Sequence, residues 1–243
     1  MLELHQFRHS AFCLKVRMIL QAKSLSFRTV EVTPGVGQID VFRLSGQRQV
    51  PVLVDGDVVV PDSSAIALHL EQRCPDPSLI PSDPRQRAQA HLLEDWADTT
   101  LASAARLALA QAAVADSALR VALLPDALPS PLRQTVGALP GAWLQGLGEV
   151  VDQGERAAML ASLLQLVDAV VASPWLVGEQ CSIADLAVAA QLSLLRFPAS
   201  SGEALAGRGV PGISDHPRLE PLFSWRDQLE ARLMQSDPAV LST

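Results

Sequence analysis

The stretch of sequence that decides the fold is VPVLVDGDVVVPDSS, residues 50–64. Asp55-Gly56 lies between two runs of β-branched residues, and this pattern predicts a tight β-hairpin. Pro51 lacks a backbone donor, so it indicates either an edge strand or the entrance of a strand. Asp62 and the two serines after it are typical of a helix start. Backbone donors and hydroxyl groups therefore meet where two strands and a helix join, which predicts a site for a small charged ligand.

The segments around this hairpin alternate between strand and helix patterns. The spacing of apolar residues predicts strands at 2–7 and 27–32 and helices at 11–23 and 40–44. A further helix is predicted after the hairpin, at 63–73. The first helix is expected to turn four apolar side chains to the core: Phe12, Val16, Ile19 and Leu20. The order β-α-β-α-β-β-α predicts a mixed four-stranded sheet, with its first two strands parallel across a right-handed crossover.

A proline-rich passage separates this part of the chain from a helical remainder. Residues 74–84 contain four prolines, which indicates a boundary. We therefore expect an α/β domain at 1–75, a linker at 76–84 and an all-α domain at 85–243. Further helices are predicted at 84–115, 155–172, 183–195 and 217–234, with an apolar insert rich in proline and glycine at 125–148.

Composition excludes several classes of protein. The net charge of −7, without a basic stripe, argues against nucleic acid as a partner. No uncharged apolar run reaches the roughly 18 residues of a membrane span, and the N-terminus lacks the pattern of a signal peptide. Cys13, Cys74 and Cys181 are widely spaced, so neither a disulfide framework nor a zinc site is expected. We expect a cytoplasmic protein.

The segment SAFCLKVR, residues 10–17, lies where the first strand turns into the first helix. Ser10 is the natural N-cap, and unpaired N–H groups at a helix start attract anions. A hydroxyl there can also stabilise a bound thiolate: lowering a thiol pKa by about two units requires roughly 2.7 kcal/mol. One hydrogen bond to a charged group, about 1.5–3 kcal/mol, together with the helix end is sufficient. Ser10 is therefore either a cap alone or a cap that also stabilises a thiolate.

Two further motifs have more than one interpretation. Cys13, near the start of the helix, is either a reactive thiol that forms mixed disulfides or a small buried hydrophobe. Ser182-Ile183-Ala184-Asp185 has the spacing of a capping box, with aspartate in the usual glutamate position, and is expected to serve folding. His9, His69 and His91 lack the spacing of metal ligands, so no metal site is expected.

Together these motifs resemble the cytosolic glutathione transferase superfamily, and most closely its serine-type zeta- and tau-like members. The resemblance covers essentially the whole chain and implies a thioredoxin-like N-terminal domain followed by an all-helical C-terminal domain. Residues 10–17 resemble the signature Ser-x-x-Cys-x-Lys/Arg-Val, whose first residue is catalytic; this implies that Ser10 is the catalytic residue. The chain contains no tyrosine, so the tyrosine-type classes are excluded.

The resemblance also implies the glutathione-binding residues. Gln49-Val50-Pro51 matches a motif with a cis proline, in which the backbone of the preceding residue pairs with the cysteinyl part of glutathione. Asp62-Ser63 matches the acidic-serine pair that holds the γ-glutamyl group. The zeta-class Ser-Ser-Cys run is absent, since Ala11 and Phe12 follow the first serine, so maleylacetoacetate isomerase activity is not expected.

The function that the resemblance implies is detoxification by a homodimeric enzyme that conjugates the thiolate of glutathione to a small hydrophobic electrophile. Glutathione is then a co-substrate, and no cofactor is expected. Two alternatives remain open. One is a glutathione-dependent thiol reductase or lyase that works through Cys13. The other is a non-catalytic member that binds a protein or a bulky hydrophobic ligand, with the 125–148 insert as its contact surface.

Overall fold

A computed structural model describes residues 1–33, 37–125, 129–139 and 153–235. The chain forms two compact units, each assembled from separate stretches of sequence. The first unit combines residues 1–94, 175–190 and the chain from 228 onward. The second unit combines residues 95–174 and 191–227. The expected domain boundary at 76–84 stays a prediction.

The sheet of the first unit has the predicted mixed topology. Its strands are β1 (Leu2–Gln6), β2 (Phe27–Glu31), β3 (Val52–Asp55) and β4 (Val58–Pro61), in the order β2-β1-β3-β4. β1 and β2 are parallel, and the other two pairs are antiparallel. The predicted fold class, a mixed α/β sheet followed by all-α structure, is confirmed.

The predicted hairpin is present, with its turn one residue later than expected. Asp55 pairs with Val58, so Gly56 and Asp57 are the central residues of the turn. Gly56 has φ +62°, which is the conformation that a type II′ turn requires at its first central position. Asp55 also accepts hydrogen bonds from side chains of the following helix, and these hold the turn against it.

The helices of the first unit cover both faces of the sheet. They are α1 (Ala11–Ala22), α2 (Gly37–Ser45), α3 (Ser63–Arg73) and the first part of a long helical run, α4 (Pro84–Trp96). Val52 packs with Val32 and with Val41 of α2. The adjacent Leu53 points to the opposite face of the strand, and both residues are fully buried.

The expected core face of α1 is mostly confirmed. Val16, Ile19 and Leu20 are fully buried, whereas Phe12 is only half-buried. Phe12 is the second residue of the helix, where the first turn is incompletely covered. Further along the helix, Met18 is fully buried and extends the core instead.

The helical pattern continues after α4 as predicted, with one irregularity. A π-helical turn (Ala97–Leu101) joins α4 to α5 (Ala102–Ala115), and α6 (Ser117–Ala122) and α7 (Ser130–Ala138) follow. The later helices are α8 (Gln153–Ala172), α9 (Ile183–Leu195) and α10 (Glu220–Gln235), with short 3₁₀ turns at Ala199–Ser201 and Pro217–Leu219. Within the predicted insert at 125–148, only Pro125 and residues 129–139 belong to the described part of the chain.

The capping box before α9 is present. The Asp185 carboxylate accepts hydrogen bonds from the Ser182 N–H and hydroxyl groups, each at 2.8 Å, and from the Leu176 N–H at 2.8 Å. Burial raises the pKa of Asp185, while these hydrogen bonds lower it. The motif therefore ties the loop before α9 to the helix start and serves folding, as expected. None of the helices in the described ranges is long and apolar enough to cross a membrane.

Candidate functional site

The sheet register brings the predicted site segments to one edge. β1 ends at Gln6, β4 ends at Pro61 and β3 begins at Val52. His5 pairs with Val52, and Val52 pairs with Pro61, so these three strand ends are neighbours. The first turns of α1 and α3 follow β1 and β4 at the same edge. The residues after β1, before β3 and after β4 therefore surround one region of the surface.

Ser10 forms the predicted N-cap of α1. Its Oγ accepts the Cys13 N–H at 3.4 Å, and its own N–H donates to the Phe7 carbonyl at 2.9 Å. Its backbone is extended, as an N-cap requires, and the first turn of α1 contains no acidic residue. A serine hydroxyl has one donor and two acceptor positions, so a capping serine can also donate to an anion. The positive end of the α1 dipole thus has no negative side chain in its first turn, and a hydroxyl group lies beside it.

Cys13 lies on the buried side of the same helix. Its side chain has no exposed surface. Burial raises the pKa of the Cys13 thiol, although hydrogen bonds from Ser10 and Phe7 lower it. A protonated thiol without access to solvent is a poor nucleophile. This geometry favours the interpretation of Cys13 as a small buried hydrophobe.

The Val50–Pro51 peptide bond is cis, as predicted from the motif. Gln49 is exposed, Val50 is half-buried and Pro51 is buried. The Val50 peptide groups take part in none of the hydrogen bonds between described residues. A donor and an acceptor therefore stand unused at the edge of the sheet. A second cis bond, Asp76–Pro77, was not predicted.

Asp62 and Ser63 begin α3. The Asp62 Oδ1 atom accepts the N–H groups of Ser64 and Ala65, at 2.9 and 3.0 Å. Asp62 has φ +74°, a left-handed conformation that is costly for a non-glycine residue and that concentrates at ligand-binding positions. Ser63 is buried, and its N–H donates to no described residue. The helix start thus offers one unused N–H group, a hydroxyl and a carboxylate oxygen.

A buried ion pair behind the start of α3 was not predicted. Lys15 of α1 has no exposed surface, and its Nζ lies 2.7 Å from Glu94 Oε1 and 3.2 Å from Ser64 Oγ. Ser64 Oγ also donates to Glu94 at 2.9 Å, and His91 contacts the other carboxylate oxygen. Burial alone would raise the pKa of Glu94, but Lys15 and the hydrogen bonds bring it below its usual value. The sequence signal was a lysine between apolar Leu14 and Val16 on the core side of α1.

Metal-binding geometry does not occur in the part of the chain that the structure describes: no three His, Cys, Asp or Glu side chains there are grouped to hold an ion. Cys13, Cys74 and Cys181 are all free thiols. The chemistry that this edge offers is therefore hydrogen bonding, helix-end electrostatics and one carboxylate. It suits a ligand with an anionic group, a cationic group and an extended backbone.

Comparisons with known proteins identify the family of the N-terminal part of the chain. Residues 4–78 match the family model of the glutathione S-transferase N-terminal domain. Glutathione S-transferase Z2 of Arabidopsis thaliana is 37% identical over 90 residues, which cover 36% of this chain and 40% of the relative. A stringent starvation protein A homolog of Pasteurella multocida is 35% identical over 118 residues, which cover 46% of this chain and 55% of the relative. The chain thus matches about half or less of the length of these relatives.

Two matches extend over most of the chain. FtsZ-localized protein A of Caulobacter vibrioides is 29% identical over 198 residues, covering 80% of this chain and 77% of the relative. The crystal structure of a glutathione S-transferase from Rhodospirillum rubrum F11 has a TM-score of 0.67 at 22% identity, covering 100% of this chain and 93% of that one. The thioredoxin-like first part and the helical remainder match this fold. Residues 4–78 therefore belong to the glutathione S-transferase N-terminal domain family, and the whole chain has the fold of a glutathione S-transferase.

Proposed function

We propose that the sheet edge between the starts of α1 and α3 binds glutathione. The observation that carries this proposal is the pair of unused Val50 peptide groups at the same edge of the sheet as two helix N-termini. The cysteinyl backbone of glutathione pairs with Val50, beside the exposed side chain of Gln49. Its thiol lies at Ser10.

The start of α3 suits the γ-glutamyl group. The Ser63 N–H and hydroxyl receive its carboxylate, which the helix N-terminus also attracts. Asp62 uses Oδ1 to cap α3, so Oδ2 is the oxygen that accepts from the γ-glutamyl ammonium. The strained backbone of Asp62 sets that carboxylate at the helix end.

The proposed reaction is conjugation of glutathione to a small hydrophobic electrophile, as in detoxification. The thiol proton passes to solvent, and Ser10 and the α1 N-terminus stabilise the thiolate. The thiolate attacks an electrophilic carbon, so that a sulfur–carbon bond forms while the leaving group departs with its electron pair. The rate gain comes from thiolate stabilisation and from the proximity of two bound partners. Glutathione is the co-substrate, and no further cofactor takes part.

A second candidate function is binding without catalysis. It is favoured by relatives whose names denote no transferase, the stringent starvation protein A homologs and FtsZ-localized protein A, the latter matched over 80% of this chain. We do not propose the reductase or lyase alternative, because Cys13 is buried and its pKa is raised. Retention of the purified protein on immobilised glutathione supports the transferase. If the protein elutes from the column no later than an unrelated protein, binding without catalysis is favoured.

Asp62→Ala should weaken glutathione binding by about 10- to 100-fold, because the ligand's ammonium loses a charged hydrogen-bond partner. Isothermal titration calorimetry measures the affinity. Asp116→Ala is the matched control, since Asp116 caps α6 through two N–H groups in the same way, at 2.8 and 3.1 Å. That control should bind like wild type. Wild-type affinity in both Asp62→Ala and Ser63→Ala would exclude the site.

We also propose that the protein is a cytoplasmic homodimer. Its free thiols suit a reducing compartment, and Leu68 of α3 and Leu92 of α4 are 52% and 71% exposed. Covering such residues is a common reason for subunit association. Light scattering should report twice the chain mass of 25.9 kDa, and Leu92→Glu should shift the population toward the monomer. A wild-type protein that stays monomeric at all concentrations would refute the dimer.

A further inference from the structure

A closed ring of four hydrogen bonds lies beneath the turn that carries Ser10. Arg17 of α1 donates to the Gln6 side-chain oxygen at 2.6 Å and to the Arg8 carbonyl at 3.2 Å. Glu31, the last residue of β2, accepts the Arg8 N–H at 2.7 Å and the Gln6 amide at 3.3 Å. Side chains from α1 and β2 thus hold both the N–H and the carbonyl of Arg8, two residues before Ser10.

The turn also has internal contacts. The Ser10 N–H donates to the Phe7 carbonyl, and the Phe7 and His9 rings meet edge to face. The sheet does not depend on the ring, because the Val32 N–H already donates to the Gln6 carbonyl and β1 pairs with two strands. Gln6 is buried, which fixes the middle of the ring. The ring therefore links the turn between β1 and α1 to the side chains of α1 and β2.

We propose that Arg17 and Glu31 are positioning residues for Ser10: the ring that they close fixes the turn, and so fixes the Ser10 hydroxyl against the start of α1. This inference rests on the proposed function, in which that hydroxyl stabilises the glutathione thiolate. Arginine suits the task because its planar fork reaches two acceptors at once, which lysine cannot do. Geometry is the relevant property, because the ring acts through the hydrogen bonds that hold the turn.

The test uses Arg17→Lys, which keeps the charge but loses the fork, and Glu31→Gln, which keeps the size but replaces one acceptor oxygen by an NH2 donor, so that one ring hydrogen bond is lost. The pKa of bound glutathione is read from the ultraviolet absorbance of its thiolate against pH, and glutathione affinity from calorimetry. Both variants should lower the thiolate fraction at neutral pH by about fivefold, the effect of one weakened hydrogen bond, with affinity nearly unchanged. Glu3→Gln is the matched control, because it removes the Glu3–Arg28 ion pair at the other end of the same two strands.

A second readout does not need glutathione. Hydrogen exchange of the Ser10 and Cys13 amides should be faster in Arg17→Lys and Glu31→Gln than in wild type or Glu3→Gln. Unchanged exchange overturns the positioning role, whether or not glutathione binds. A wild-type thiol pKa in both variants, with glutathione bound, also overturns it, even if their melting temperatures fall. A wild-type thiol pKa in Arg17→Lys together with a raised thiol pKa in Arg17→Met would assign the effect to the charge of Arg17 and overturn the geometric role. If the wild type does not bind glutathione, the proposed function is refuted, whereas the positioning role is still decided by hydrogen exchange.

Discussion

Ser10→Ala should raise the pKa of the bound glutathione thiol by about one to two units and reduce turnover at neutral pH by roughly 10- to 100-fold. In the proposed reaction the Ser10 hydroxyl donates to the thiolate, which is the reacting group, whereas the proposed contacts at Val50, Asp62 and Ser63 are unaffected by this substitution. Glutathione affinity should therefore stay nearly intact. Thiolate absorbance against pH, together with kcat at saturating glutathione, measures both effects.

The control for this prediction is Cys13→Ala, one turn along the same helix. Cys13 is buried with a raised thiol pKa, so its removal should change neither the thiolate titration nor turnover by more than a small factor. The opposite pattern, with thiolate lost only in Cys13→Ala and Ser10→Ala like wild type, would reverse the two roles. Ser10→Ala also removes a helix cap worth about 1 kcal/mol, so the comparison is made well below the melting temperature.

Lys15→Met should destabilise the fold by about 3–5 kcal/mol, because it leaves Glu94 as a buried carboxylate without its cation. Lys15 is fully buried and the exposed fraction of the Glu94 side chain is 11%, so solvent screens this pair weakly. Urea unfolding measures the loss. The double variant Lys15→Met/Glu94→Leu should recover most of it, since an apolar pair of similar volume replaces the ions.

The matched control is the exposed pair Arg43–Asp40, whose side chains are 75% and 79% exposed. Asp40→Asn should change the free energy of unfolding by no more than about 0.5 kcal/mol. An effect of Lys15→Met as small as that of the control would contradict the structural role of the buried pair.

The same ion pair sets a pH dependence of stability. The folded-state pKa of Glu94 is lowered, so the unfolded state binds its proton more readily. The stabilisation is then complete above the unfolded value of about 4.3 and is lost as the pH falls through the folded value. The wild type should therefore lose unfolding free energy relative to the double variant, which lacks Glu94, as the pH drops below about 4. Parallel curves would mean that Glu94 does not titrate as proposed.

Local sequence signals predicted the frame of the molecule. The hairpin, the caps at Ser10 and Asp62 and the capping box at Ser182 each depend on residues within a few positions of one another. Such motifs fix backbone conformation with little help from the rest of the chain. The mixed sheet with its parallel first pair of strands followed from the element order.

The parts that were not predicted depend on partners far apart in sequence. Lys15 and Glu94 are 79 positions apart, and Arg8 and Glu31 are 23 apart. Lys15 lies between apolar residues in the sequence, but the sequence could not name the carboxylate that neutralises it. Cys13 illustrates the same limit, since its reactivity depends on burial by other elements. Pairwise geometry of this kind becomes visible only in the folded structure.

The most direct measurement is the crystal structure of the protein with glutathione bound. We predict the glutathione sulfur within hydrogen-bond distance of Ser10 Oγ, the cysteinyl backbone paired with Val50, and the γ-glutamyl group on Asp62 and Ser63. Glutathione bound elsewhere, or with its sulfur against Cys13 rather than Ser10, would contradict the account.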